Sequence, residues 1–186
     1  MELKEEIVQI VDKLPSNVLG ELLQYLRQVE KTTAEKMRLS LNLNTILTED
    51  RELLEKFADQ KMIGYQEVLE IHQFLIREFG GSQGVRDENG LKSALERPFS
   101  GFGDTEFYPS PEEKAGAVLE SIVTNHPFID GNKRTGYVLM RLVLMNFGKD
   151  IEATQDEKYD FVVAIASGRI DFQQIVTWVK QRIVIR

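Results

Sequence analysis

NHPFIDGNKRTGYVLMRLVLMNF, residues 125–147, sets a histidine, a carboxylate, a Gly-Asn pair and two adjacent cations directly ahead of one of the most apolar runs in the chain. Between Val138 and Phe147 only Arg141 and Asn146 are polar. A helix that is apolar nearly all round belongs in the middle of a domain. This run is therefore expected to be the central helix, starting near Gly131 or Asn132. A helix start presents N–H groups without intrahelical partners and a partial positive charge, which suits an anion. Lys133 and Arg134 fall in that first turn, where cations are unfavourable for the helix itself. They make sense there if an anion such as a polyphosphate arrives. Asn132 adds a side-chain donor, and Gly131 lets the backbone come close to a ligand. Asp130 is a hard oxygen ligand of the kind Mg²⁺ takes alongside substrate phosphates. His126, expected at the end of the preceding helix, suits a general base near neutral pH. "DG" and "GN" are also ordinary turn signals, and a histidine before proline is an ordinary helix-end residue. The residues alone leave a turn and a site both open.

Outward from this stretch the chain reads as helix. Tyr65 to Phe79 has an amphipathic pattern stopped by Gly80-Gly81, and a short helix follows around residues 90–96. Ser110-Pro111-Glu112-Glu113 is a capping box with proline at the first helical position, so a helix is expected from there to about Asn125. Thr154 with Glu157 opens another, ending near Gly168, and Asp171 with Gln174 opens the last, over residues 172–183. Residues 98–109, PFSGFGDTEFYP, read as an irregular loop or small hairpin. His72, inside the apolar helix, is read as a packed structural residue. Arg86 and Asp87 are expected to form a local ion pair. Arg141 either snorkels to the surface or reaches the phosphate pocket.

Before residue 61 the apolar spacing predicts helices over residues 3–14 and 17–30, a hairpin too small to bury much by itself, and then a connector. Thr48 is placed to cap a further short helix carrying Leu53, Leu54 and Phe57 on one side, with Glu49, Asp50 and Glu52 at its positive end. The expected fold is all-α, with a boundary near residue 61.

The chain of 186 residues carries a net charge of −7, which argues against a nucleic-acid binder. It has no cysteine, so disulfides and thiolate metal sites are excluded. No charged-then-apolar leader opens it, and no uncharged run approaches the ~18 residues of a membrane helix. A soluble cytoplasmic protein without membrane contact is expected.

The motif resembles the signature of the Fic (filamentation induced by cAMP) superfamily, His-x-Phe-x-(Asp/Glu)-Gly-Asn-x-Arg-x-x-Arg, at His126, Phe128, Asp130, Gly131, Asn132 and Arg134. It is most similar to the death-on-curing (Doc) branch, and EIHQFLIREFGGSQGVRDENGLKSALERPF and VVAIASGRIDFQQIVTWV extend the likeness over about residues 62–186. The resemblance implies a helical Fic/Doc domain that uses ATP and Mg²⁺ to modify a protein hydroxyl. His126 would be the catalytic base, Asp130 the metal ligand and Phe128 an inward anchor. Gly131, Asn132, Lys133 and Arg134 would hold the nucleotide. Lys133 stands where most AMP-transferring members have Gly, and Tyr137 where they have a second Arg. The Doc branch shares both features, and its members pass the γ-phosphate to elongation factor Tu. Phosphate transfer is therefore favoured over AMP transfer, although Gly131 keeps the general Fic pattern. Residues 98–109 lie where Fic proteins carry a target-aligning flap, or form a plain surface loop.

Residues 1–60, with net charge −4, resemble the antitoxins that accompany Doc-type toxins, and LNTILTEDRELLEKFADQ resembles an antitoxin tail. A toxin over residues 62–186, covered by its own fused antitoxin-like segment docking through Leu53, Leu54 and Phe57, is expected. The alternative is an extension that only completes the core. Fic regulators also use a Ser/Thr-x-x-x-Glu-Gly/Asn helix. Thr48 to Glu52 has that spacing, but Leu53 follows it and Tyr137 replaces the paired Arg, so steric cover is favoured. From a different class, the chain would be a catalytically silent toxin-antitoxin binding module whose hairpin mediates homodimerisation or operon binding, the acidic N-terminus weakening the case for DNA.

Overall fold

The computed structural model describes residues 63–185 and, ahead of them, residues 7, 10–12, 18–20, 22–27 and 29–30. The chain divides into two compact units, residues 1–41 and 42–186. In the first, every described position is helical except the turn at Asp12. Thr48, Leu53, Leu54, Phe57 and Met62 lie outside the described residues.

In the second unit, helix α1 (Tyr65–Phe79) buries Val68, Ile71, His72, Leu75 and Ile76. Their spacing is that of one helical face. Gly80 and Gly81 end it, both at positive φ. Helix α2 (Glu88–Glu96) is capped by the Asp87 carboxylate, which accepts the Gly90 N–H. A single 3₁₀ turn (Arg97–Phe99) leads into a hairpin of β1 (Gly101–Phe102) and β2 (Thr105–Glu106). Helix α3 (Pro111–Asn125) starts at the Ser110/Glu113 capping box with Pro111 in its first turn. Helix α4 (Asn132–Met145) buries every residue except Lys133 and is the middle of the core. Helices α5 (Gln155–Ala166) and α6 (Phe172–Arg182) start at the Thr154/Glu157 and Asp171/Gln174 boxes.

The all-α expectation holds, with two small antiparallel additions. Strand β3 (Lys149–Ile151) pairs with β4 (Ile183–Ile185), in the register Lys149↔Ile185, Asp150↔Val184 and Ile151↔Ile183. The last helix thus stops at Arg182, just before its expected end. Ile183-Val184-Ile185 is a β-branched run that favours an extended backbone once a partner strand is available. No helix among the described residues is long and apolar enough to cross a membrane.

The most extensive helix pair is α3 with α4. At Gly136 an added Cβ would lie 3.0 Å from Val123 Cγ2 and 3.4 Å from Ile122 Cβ. Only the absence of a side chain there admits this close approach.

Candidate functional site

His126 ends α3 in the left-handed conformation, φ 48° and ψ 57°, the one non-glycine residue at positive φ among those described. The cost of that conformation for an L-residue is about 1–2 kcal/mol. Arg86 helps hold it, donating from Nη2 to the carbonyl oxygen of Asn125 at 3.0 Å and to that of His126. Behind the turn, Arg86 N–H donates to Pro127 O at 2.7 Å, Ile129 N–H donates to Gly84 O at 3.0 Å, and Val85 bridges Phe128. Arg86 is therefore not the loop partner of Asp87 expected from their adjacency. Asp87 caps α2 while Arg86 reaches across 39 residues to tie down the end of α3.

Five residues after His126, Gly131 forms the N-cap of α4 at φ 74°. No side chain caps this end, and the first intrahelical bond is Thr135 N–H to Gly131 O at 2.9 Å. The backbone therefore opens α4 as an anion-attracting helix start. Lys133, partly exposed, makes no hydrogen bond or ion pair among the described residues.

The neighbouring polar side chains are engaged in the scaffold. Asn132 Oδ1 accepts the Phe128 N–H and its Nδ2 donates to Phe128 O, both at 2.9 Å. The nearly buried Arg134 donates from Nη1 to Leu75 O at 3.3 Å and from Nη2 to Gly80 O at 2.9 Å. A cation is favourable at those last carbonyls of α1. Phe128 is fully buried, as expected of an anchor, and stacks on the His72 ring with centroids 3.9 Å apart.

His72 is the residue that sequence reading undervalued. It is a packed core residue, as its helical context implied, but what it packs against is the site. An added Cβ on Gly131 would stand 3.3 Å from His72 Cε1 and 2.9 Å from Ile76 Cδ1. His72 Nδ1 lies 3.2 Å from Thr135 Oγ1, in the first turn of α4. Burial first, then the Arg134 charge, lowers its pKa from 6.5 to about 4, against an opposing pull from Asp130. It is neutral at physiological pH.

Asp130 is exposed. Its Oδ1 accepts the adjacent Gly131 N–H at 2.6 Å and its Oδ2 the Ser82 N–H at 3.3 Å. No group of three or more His, Cys, Asp or Glu able to hold a metal occurs among the described residues. One exposed carboxylate does fit Mg²⁺ that arrives with phosphates and keeps several waters, as this ion prefers.

Arg141 does neither of the things expected of it. It is buried, and pairs in a fork with Asp150, Nε to Oδ1 at 2.8 Å and Nη2 to Oδ2 at 2.6 Å. Tyr137, at the position of the second signature arginine, is fully buried, and burial raises the pKa of its hydroxyl.

The β1–β2 hairpin stands beside α3. Glu106 pairs with Lys114 at 2.9 Å, and Arg97 donates to Tyr108 Oη at 2.7 Å, to Ser121 Oγ at 2.9 Å and pairs with Glu120 at 2.7 Å. Phe102 and Phe107 are 84% and 60% exposed. Residues 98–109 are thus an ordered hairpin on fixed feet, with aromatic side chains left in solvent.

A helix-end histidine, a carboxylate and an uncapped helix start lie within nine residues on one loop at the centre of this helical domain. A family model described as Fic/DOC family matches residues 62–144. Toxin Doc of Mycolicibacterium smegmatis (strain ATCC 700084 / mc(2)155) is 33% identical over 99 residues, covering 52% of this chain and 76% of that protein. The chain belongs to the Fic/DOC family.

Proposed function

We propose that this chain is a Doc-type toxin, an ATP-dependent protein kinase restrained by its own N-terminal segment. The observation that carries the reading is the uncapped start of α4 at Gly131, five residues from His126, with Lys133 beside it making no ion pair among the described residues. The backbone N–H groups after Gly131 and the Lys133 ammonium bind the phosphates of ATP. Asn132 and Arg134 serve that cradle by fixing its shape, with Arg134 adding charge at short range. Asp130 is the residue that would hold Mg²⁺, which supplies charge neutralisation on the phosphates when bound.

His126 accepts the proton of a target hydroxyl as that oxygen attacks the γ-phosphorus. The bond from the γ-phosphorus to the bridging β,γ-oxygen breaks and ADP leaves. Positioning and charge stabilisation supply most of the rate in such transfers, and a base adds roughly 10²–10⁴-fold. The β1–β2 hairpin is suited to hold an extended target segment, by backbone pairing along its edge and by contact with Phe102 and Phe107. A translation factor such as elongation factor Tu is the target class that the family likeness suggests, and the protein acts in the cytoplasm.

AMP transfer is the second reading, because Gly131 keeps the general signature. Against it stand Lys133, whose charge sits beside the anion site, and the burial of Tyr137 with no cation offered at its position. Arg141, one turn on, is held by Asp150. Leu53, Leu54 and Phe57 are the residues proposed to cover the cleft in the restrained state.

Label transfer onto lysate proteins from γ- and α-labelled ATP tests the reading, using the full chain, residues 62–186 and His126→Ala. Transfer of γ-label by residues 62–186 and not by the full chain supports a restrained kinase. Transfer of α-label replaces it with AMP transfer. No transfer of either label in any form leaves a silent binding module and sinks the enzyme.

A further inference from the structure

His72 touches the start of α4 and the loop before it at three points. Its ring lies flat on Phe128, with centroids 3.9 Å apart and planes 12° apart. A Cβ added to Gly131 would stand 3.3 Å from its Cε1, so the glycine backbone rests against the ring. Its Nδ1 lies 3.2 Å from Thr135 Oγ1. Gly131 and Thr135 are the two ends of the first backbone bond of α4, from Thr135 N–H to Gly131 O. The N–H groups of residues 132–134 lie between those ends, and they are the ones an incoming anion would meet. One side chain of α1 therefore braces both ends of the turn that forms the proposed phosphate cradle.

Packing alone would not select an imidazole for this brace. His72 is 2% exposed, and its Nε2 is buried with no hydrogen-bond partner among the described residues. A buried polar atom without a partner destabilises a fold. Phenylalanine would keep the flat contact with Phe128 and bury no such atom. What imidazole supplies beyond a hydrocarbon ring is the bond to Thr135, a residue that is itself fully buried. A neutral imidazole carries one donor and one acceptor, so this bond forms in either tautomer, and in either one Nε2 stays unsatisfied. Polar groups kept against the interest of stability belong to sites where position matters.

We propose that His72 is a positioning residue for anion binding at the start of α4, acting through Thr135 and Gly131 and touching no ligand itself. The inference rests on the proposed phosphate cradle and adds the group that sets its geometry. Two variants separate the contacts of His72. His72→Phe keeps the ring contact and loses the bond to Thr135. His72→Asn sets an amide about where Nδ1 stands, keeping the bond and losing the ring contact.

Three measurements on the full chain test the proposal. They are thermal melting, hydrogen exchange of the Thr135 amide read against amides deeper in α4, and titration with tripolyphosphate followed by the amide signals of Gly131 to Arg134. His72→Phe should melt at or above the wild-type temperature, yet exchange Thr135 N–H faster and bind tripolyphosphate about 10–100-fold more weakly. His72→Asn should melt lower, yet keep the wild-type exchange and affinity. Thr135→Val removes the same bond from its other end and should reproduce the exchange and affinity of His72→Phe, which decides the matter if the phenylalanine variant fails to fold. Exchange and affinity that simply follow the melting temperature through all three variants would make His72 a structural residue only and overturn the proposal. No binding by the wild-type protein would overturn the phosphate cradle itself, whereas wild-type binding that His72→Phe and Thr135→Val leave unchanged overturns only the role of His72.

Discussion

Asn132 holds the peptide of Phe128 at both ends, accepting its N–H and donating to its carbonyl, each at 2.9 Å. This closes residues 128–132 into a rigid turn, so that Asp130 and Gly131 are positioned by a side chain that need not touch any ligand. Asn132→Ala leaves two backbone groups of a fully buried residue unpaired. At about 1–3 kcal/mol for each orphaned group, thermal or denaturant unfolding should report a loss of about 2–6 kcal/mol. Asn132→Asp keeps the acceptor and loses the donor, so it should lose roughly half as much.

His126 offers an unusual control. Its left-handed backbone is costly for any residue with a Cβ and free for glycine. His126→Gly should therefore remove label transfer while leaving the melting temperature unchanged or raised. His126→Ala should lose activity and keep the strain. A glycine variant that melts well below the wild type would show that the imidazole supports the fold and not only the chemistry.

The pH dependence follows from His72. Its folded pKa of about 4 lies below its ordinary 6.5. Across that window the unfolded chain takes up a proton that the folded chain refuses. Stability contributed by neutral His72 is therefore complete above pH 6.5 and is lost as pH falls towards 4, by on the order of 3 kcal/mol. Denaturant midpoints measured at neutral pH and at intervals down to pH 4.5 should show this slope, and His72→Gln should flatten it. An unchanged slope in the variant would assign acid sensitivity to other groups.

Arg141 and Asp150 make a buried forked pair, with side chains 9% and 17% exposed. Asp150→Ala leaves a guanidinium in the core without its counter-charge and should cost about 3–5 kcal/mol. Arg141→Met combined with Asp150→Leu removes both charges and should cost less than the single change. A double-mutant cycle on chemical denaturation reads the coupling directly.

What the sequence made legible was local. Each of the Ser110/Glu113, Thr154/Glu157 and Asp171/Gln174 boxes stands at an observed helix start, because a capping residue and its partner lie within one turn. The start of α4 at Gly131 was legible for the same reason, through a glycine and a run of apolar residues behind it. The contacts that shape the site are not local. His72 and Thr135 are 63 residues apart, and Arg134 and Leu75 are 59. Nothing in either neighbourhood names the other, so His72 could be read as buried but not as the wall behind Gly131. Arg86 misled for a related reason: adjacency to Asp87 suggested a pair, while both side chains found backbone partners. β4 escaped because three β-branched residues after a helix signal an extended strand only once Lys149–Ile151 lies alongside.

Gly136 adds a geometric consequence. His126 hangs from the last turn of α3 and the proposed phosphate cradle from the first turn of α4, so the two are carried on separate rods. The missing side chain at Gly136 sets how near those rods lie, through its contacts with Val123 and Ile122. It works as the shim of a caliper. One methyl group inserted there, with no polar atom changed, pushes the jaws apart and widens the gap between His126 and the start of α4, which the proposed transfer must close.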